Sequence, residues 1–250
     1  MPKIYLSPST QEYNQFVTGT GSEEYYMNLI ADALEPYLFS SGIQFSRNTP
    51  DMTAASSIKQ ANKGDYDFYL AIHSNAGPPD LAGVLQGPDI YYYPGSADGK
   101  RMADIMADNF KAIYPNPELV NTLPTTYLGE VTKTRFPAVL VEVAYHDNPD
   151  DANWIIENIG KIAEALALSL TEHFGIPFVE PQQAQTGVVE VESGNLNLRA
   201  KPSVMAEVVA TIPNGTRVSL MGQWEDWYVA AYGGKVGYVY KSYVRQTTDN

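Results

Sequence analysis

Three polar residues stand where the surrounding pattern is apolar or helix-initiating, and their types, one imidazole and two carboxyls, are those that can move protons or bind a metal ion. His73 follows the apolar run FYLAI and precedes SNAGPP. Open α/β sheets bind ligands beyond the carboxyl ends of their strands, so an imidazole there faces a site; a loop-edge histidine satisfied by backbone is the alternative. Glu142 interrupts AVLVEVAY, an otherwise apolar strand. Burying an unpaired carboxylate is costly, so this position calls for a cation, a metal or a proton, unless an ion pair or water at the strand end satisfies it. Glu24 lies in the first turn of a helix opened by Ser22, where the helix dipole alone accounts for an acid. The chain has no Cys, so metal ligands must be histidines or carboxylates, and disulfides are excluded.

These residues need a scaffold that holds strand ends beside a helix start. Tyr26, Leu29, Ile30, Ala33, Leu34, Tyr37 and Leu38 follow the i, i+3, i+4, i+7 spacing of an amphipathic helix, with Ser22 as N-cap and Gly42 as its stop. Short apolar runs at 3–6, 43–46, 68–72, 90–93 and 138–143 read as strands, and the stretches 97–113 and 151–173 as helices. Alternating strands and helices predict an α/β domain, a mainly parallel sheet flanked by helices, over residues 1–176. Residues 177–186, PFVEPQQAQT, read as a linker. From 187 to 250, VVEVE, EVVATI, RVSLMG, WYVAAY and VGYVY alternate with Gly, Asn and Pro turns, which predicts a small all-β barrel.

Charge narrows the partners. The net charge of −13 speaks against nucleic acid, which is bound through clustered Lys and Arg. Residues 1–186 carry 23 acids against 10 bases, and 187–250 carry six of each, a shift that supports two units. No run approaches the ~20 apolar residues of a membrane span, so membrane insertion is not expected. The start, MPKIYLSPST, shows no apolar stretch of signal-peptide length and reads directly into a strand.

The segments SEEYYMNLIADAL, AIHSNA and FPAVLVEVAYHDNPDD, in this order and spacing, resemble the type-3 family of zinc-dependent N-acetylmuramoyl-L-alanine amidases. The resemblance implies that Glu24 and His73 bind Zn²⁺ and that Glu142 is the catalytic carboxylate. Gln11 and Asn75 beside them are then expected to contact substrate. An open-coordinate zinc supplies a water that is acidic near neutral pH and a Lewis acid for an amide carbonyl. The implied substrate is peptidoglycan, cut between N-acetylmuramic acid and L-alanine by an endolysin- or autolysin-like enzyme at the bacterial cell wall.

The chain departs from the family in one place. After its first strand the family carries a zinc-binding His in a segment like DPGHGG, whereas this chain reads Ser7, Pro8, Ser9, Thr10 and Gln11, with Thr10 at the His position. His146 is the expected replacement ligand, with Gln11 or Glu12 as alternatives. His173 ends a helix, where an imidazole suits the dipole and needs no further role. A metal-poor, inactive wall-binding protein is the rival reading.

Residues 187–246 resemble the bacterial SH3-like domains that accompany wall hydrolases, through NLNLRAKPS and GYVYKSYV. The resemblance implies a wall-binding role, with most of Trp224, Trp227, Tyr228, Tyr238, Tyr240 and Tyr243 filling the core and one or two forming a stacking surface.

Overall fold

The computed structural model describes residues 1–247, so the last three residues of the expected barrel segment lie outside the described residues. The chain divides into two units: one holds Lys3–Leu34 and Phe45–His173, the other Met1–Pro2, Glu35–Gln44 and the described residues from Phe174 onward.

In chain order the first elements are β1 (Lys3–Pro8), α1 (Glu23–Ser41), β2 (Gln44–Arg47), α2 (Ala54–Ala61), β3 (Phe68–Asn75) and β4 (Asp89–Tyr92). There follow α3 (Ala97–Lys111), β5 (Asn121–Pro124), α4 (Gly129–Thr132), β6 (Ala138–Tyr145), α5 (Pro149–Glu157) and α6 (Ile159–Phe174). The six strands form one sheet in the order β2-β1-β3-β6-β4-β5. β1 and β6 run parallel to the central β3, and β4 is antiparallel to β6 and parallel to β5. The sheet is mainly parallel as expected, with one antiparallel joint. The stretch 151–173 is two helices, because the backbone leaves the helical path at Asn158.

Register decides which side chains meet. Tyr5 pairs with Tyr69, Tyr69 with Ala138, Ser7 with Ala71, Ala71 with Leu140, and His73 with Glu142. Since strand side chains alternate with period two, these residues share one face. Lower down, that face packs Tyr5, Tyr69, Ala71, Ala138 and Leu140 against Ala61 of α2 and Val131 of α4. The row above, nearest the carboxyl ends of the strands, carries His73 and Glu142, and the antiparallel pairing adds Asp89 opposite Glu142. The other face meets α6, where Phe68 packs edge-on to His173 with centroids 5.2 Å apart.

Helix α1 ends as its sequence predicts. Gly42 takes φ +78°, and the bonds Ile43 N to Leu38 O (2.8 Å) and Gly42 N to Phe39 O (3.0 Å) close the last turn.

The second unit contains β7 (Gln185–Val189), β8 (Asn195–Arg199), β9 (Val208–Pro213), β10 (Arg217–Trp224), β11 (Trp227–Tyr232), β12 (Lys235–Tyr240) and β13 (Val244–Thr247). They form an antiparallel sheet ordered β13-β7-β10-β11-β12-β8-β9. Its core is Val189, Leu196, Leu198, Ile212, Val218, Leu220, Tyr228, Ala230, Val239 and Val244. The stretch read as a linker is tied down within this unit: Val179 is buried, its N–H donates to Ser41 Oγ (3.0 Å), and Gln182 N–H donates to Ser40 Oγ (2.9 Å). β7 begins at Gln185, inside that stretch.

Candidate active site

His73 sits within β3 rather than after it, since the strand runs on to Asn75. Its ring is held between two buried carboxylates. Nδ1 lies 2.9 Å from Glu23 Oε1 and Nε2 lies 2.8 Å from Glu130 Oε2. An imidazole bonded to carboxylates on both sides donates from both nitrogens, which is the cationic form. Burial pulls the His73 pKa down, but Glu130 and Glu23 outweigh it and hold it well above the ordinary imidazole range. Burial in turn raises both acids, and their bonds to His73 reverse that, leaving Glu23 and Glu130 below the ordinary carboxyl value.

The helix-start acid at His73 is Glu23, not Glu24. Glu23 is 1% exposed and also accepts from Asn14 Nδ2 (2.7 Å) and Gln11 Nε2 (3.3 Å). One residue on, the helix has turned about 100°, so Glu24 leaves the sheet edge, and partial burial with the nearby charge of Glu12 raises its carboxyl. Gln11 does enter the cluster: its Nε2 lies 3.5 Å from His73 Nδ1, and its Oε1 accepts from the Tyr13 hydroxyl (2.9 Å). Thr10 does not bond to the histidine, and Glu12 is exposed.

His146, expected as a third ligand, does not reach the cluster. Its Nδ1 lies 3.0 Å from Ser74 Oγ and 2.9 Å from Ser74 O, and the ring stacks on Phe16. The strand carries it past Glu142, and the turn that follows serves another purpose. Asp147 Oδ2 accepts from Gly77 N (3.0 Å) and Gly83 N (2.9 Å), and Asp151 Oδ2 accepts from Gly87 N (2.9 Å). The HDNPDD run thereby pins the loop that follows β3. Asn75 bonds to its own end of the sheet, with Oδ1 accepting from Ala76 N (2.9 Å) and Nδ2 donating to Asp89 (3.4 Å).

Glu142 is beside His73 in the row. Its Oε2 is sealed from solvent and has no hydrogen-bond partner. Burial pushes its carboxyl up to about 8; His73 opposes this, while Glu23, Asp89 and Glu130 add to it. Sequence reasoning missed Glu130, which comes from the four-residue α4 and shows no spacing signal. It also placed the helix-start acid one residue late. A cleft of about 250 Å³ opens onto the cluster, lined by Ser9, Thr10, Gln11, Tyr13, Met52 and His73.

An α/β sheet that gathers an imidazole, two paired carboxylates and an unpartnered third at its carboxyl edge defines a hydrolase-type centre, built to move protons around a polar bond. Comparison with known proteins gives its family. Residues 10–172 match the N-acetylmuramoyl-L-alanine amidase family and residues 194–245 the bacterial SH3 domain. The chain therefore belongs to the N-acetylmuramoyl-L-alanine amidase family, and its function is that of a peptidoglycan amidase; the reading as an inactive wall-binding protein is not favoured. Among curated protein sequences none matches. Solved structures of similar fold include an N-acetylmuramoyl-L-alanine amidase from Clostridium difficile 630, at TM-score 0.61 and 16% identity over 70% of this chain and 97% of that one. The catalytic domain of CwlV from Bacillus (Paenibacillus) polymyxa matches at TM-score 0.61 and 16% identity over 71% and 100%. The catalytic domain of the CD27L endolysin targeting Clostridia difficile matches at TM-score 0.55 and 19% identity over 69% and 98%.

Proposed function

We propose that this amidase is zinc-dependent, that Glu23, His73 and Gln11 hold the ion, and that Glu142 is the general base for cleavage of the amide between N-acetylmuramic acid and L-alanine. One observation carries the reading. His73 Nδ1, Glu23 Oε1 and the Gln11 amide form a triangle with edges of 2.9, 3.3 and 3.5 Å. Three ligands at ~2.0–2.1 Å on a tetrahedral ion stand roughly 3.3 Å apart, so the triangle has the size of one face of such a shell.

The donor chemistry supports it. Among the described residues no three His, Cys, Asp or Glu side chains make a metal site, and the third corner is an amide. Turning that amide over places Oε1 toward His73 and Nε2 at Tyr13, whose hydroxyl can accept as readily as donate. The orphaned Glu142 Oε2 and the excess of buried carboxylate over imidazole both call for positive charge. An amide oxygen in place of an imidazole weakens the site.

When bound there, zinc supplies a Lewis acid for the amide carbonyl and an acidified water. The charge of an ion beside it would lower the Glu142 carboxyl and leave it ionised, so that Oε2, free of other bonds, can take a proton from the attacking water and return it to the leaving alanine nitrogen. Asp147 and Asp151 hold the loop after β3 in place. The second unit is read as the wall-binding part, acting through a groove of about 880 Å³ lined by Asn195, Asn197, Arg199, Trp227, Tyr240 and Tyr243. Holding the enzyme on its polymer raises the local substrate concentration. Among the described residues no helix is long and apolar enough to cross a membrane.

The test is release of peptides with L-alanine amino termini from purified peptidoglycan by the full chain, before and after chelation and with zinc restored. Activity that survives complete metal removal refutes the zinc dependence, and new amino termini elsewhere in the peptide refute the bond assignment.

A further inference from the structure

Glu130 belongs to none of the motifs that carry the family resemblance, yet it is 5% exposed and fully bonded. Its Oε1 accepts from Ser7 Oγ (2.7 Å) and from the Tyr69 hydroxyl (2.7 Å). Ser7 Oγ itself accepts from Asn48 Nδ2 (3.3 Å), which leaves its own proton for Glu130. With one oxygen filled from two strands, the other is aimed at His73 Nε2 at 2.8 Å. An ionised carboxylate only accepts, so Nε2 must carry the hydrogen. If a metal ion takes the place of the Nδ1 proton that faces Glu23, His73 is neutral and keeps its one hydrogen on Nε2, facing Glu130.

We propose that Glu130, clamped by Ser7 and Tyr69, is a positioning residue that fixes the tautomer and orientation of His73 so that Nδ1 is presented to a divalent metal ion. The inference rests on the zinc reading above. Ligating imidazoles commonly donate their second nitrogen to a carboxylate, and loss of such a partner costs about 10–100-fold in metal affinity. The clamp is of particular weight in this chain, where one corner of the triangle is an amide and His73 supplies its only imidazole. The geometry also accounts for a buried acid on so short a helix: α4 places Glu130 over the face of the sheet that carries Ser7, Tyr69 and His73.

The discriminating variant is Glu130→Gln in the full chain. Its side-chain oxygen can still accept from Ser7 and Tyr69, but its NH₂ group meets His73 Nε2 and selects the tautomer with hydrogen on Nδ1. Zinc affinity, measured by competition with a chromophoric chelator, is expected to fall about 10–100-fold. Histidine-selective ¹⁵N NMR, simplified by a chain with only three histidines, is expected to show Nε2–H for His73 in the zinc-loaded wild type and Nδ1–H in the variant. A merely structural ion pair would change stability without exchanging the tautomer. If Glu130→Gln does not fold, Tyr69→Phe keeps the carboxylate and removes one clamp; a several-fold weaker zinc site then supports the proposal, and unchanged affinity overturns it. Wild-type affinity and an unchanged His73 tautomer in folded Glu130→Gln overturn this proposal while leaving the zinc reading intact. A wild type that takes up no zinc overturns both.

Discussion

Replacing Glu23 and Glu24 separately by Ala tests the central geometric finding, since the two are adjacent and differ only in which way the helix turns them. Glu23 is 1% exposed and bonds to His73 at 2.9 Å and to Asn14 at 2.7 Å. Breaking a buried, hydrogen-bonded charge pair by removing one partner costs about 3–5 kcal/mol. Here the loss sits at the lower end, because His73 keeps Glu130 and because one fewer carboxylate relieves repulsion on Glu142. For a domain of this size each kcal/mol moves Tm by about 2–4 °C, so Glu23→Ala should melt roughly 6–12 °C lower in chelator. It should also lose tight zinc binding. Glu24→Ala removes a half-buried carboxyl with no bond to the cluster and should stay within about 0.5 kcal/mol of wild type. Circular-dichroism melts in excess chelator and zinc titrations of both variants make the measurement. Equal effects, or a larger loss in Glu24→Ala, would refute the assignment of Glu23.

Two further predictions follow from buried groups. Glu142→Gln should cut peptidoglycan release by at least about 10²-fold while zinc remains bound. Because the folded Glu142 carboxyl lies at about 8, above its ordinary 4.5, its contribution is present below pH 4.5 and is lost as pH rises to 8. Melts of the metal-free variant should therefore lack that component of the pH dependence, and an unchanged profile would count against the unpartnered carboxylate. His173 behaves in the opposite sense. Burial, aided by the charge of Arg101, lowers its pKa to about 4 from 6.5, so the native state keeps it neutral and loses stability as pH falls from 6.5 towards 4. His173→Gln should flatten acid unfolding in that window, and a wild-type slope would remove His173 as its source.

Much of the scaffold is legible in the chain because its signals are local. The apolar runs that become β3 and β6 lead to His73 and Glu142, and the spacing from Tyr26 to Leu38 marks the buried side of α1. Gly42 ends that helix through a left-handed residue, a conformation that glycine adopts without steric cost. The site is less legible. Ser22 and two consecutive acids mark a helix start, but which acid points inward depends on how the helix is rotated against the sheet. His146 lies just past the end of the strand that carries Glu142, and only the turn into the following helix sends its ring to Ser74 and Phe16.

What the sequence by itself determines, then, is the order of elements, the two kinds of unit and the residues that cannot rest in an apolar strand without a partner. What tertiary structure decides is the partner. His73 meets Glu142 because β3 and β6 are neighbours in register, meets Glu23 because α1 begins at that edge, and meets Glu130 because a four-residue helix covers the same face. Those contacts span 50 to 69 residues of chain. Periodicity fixes which face a side chain occupies, and only the packing of distant strands and helices fixes what stands opposite it.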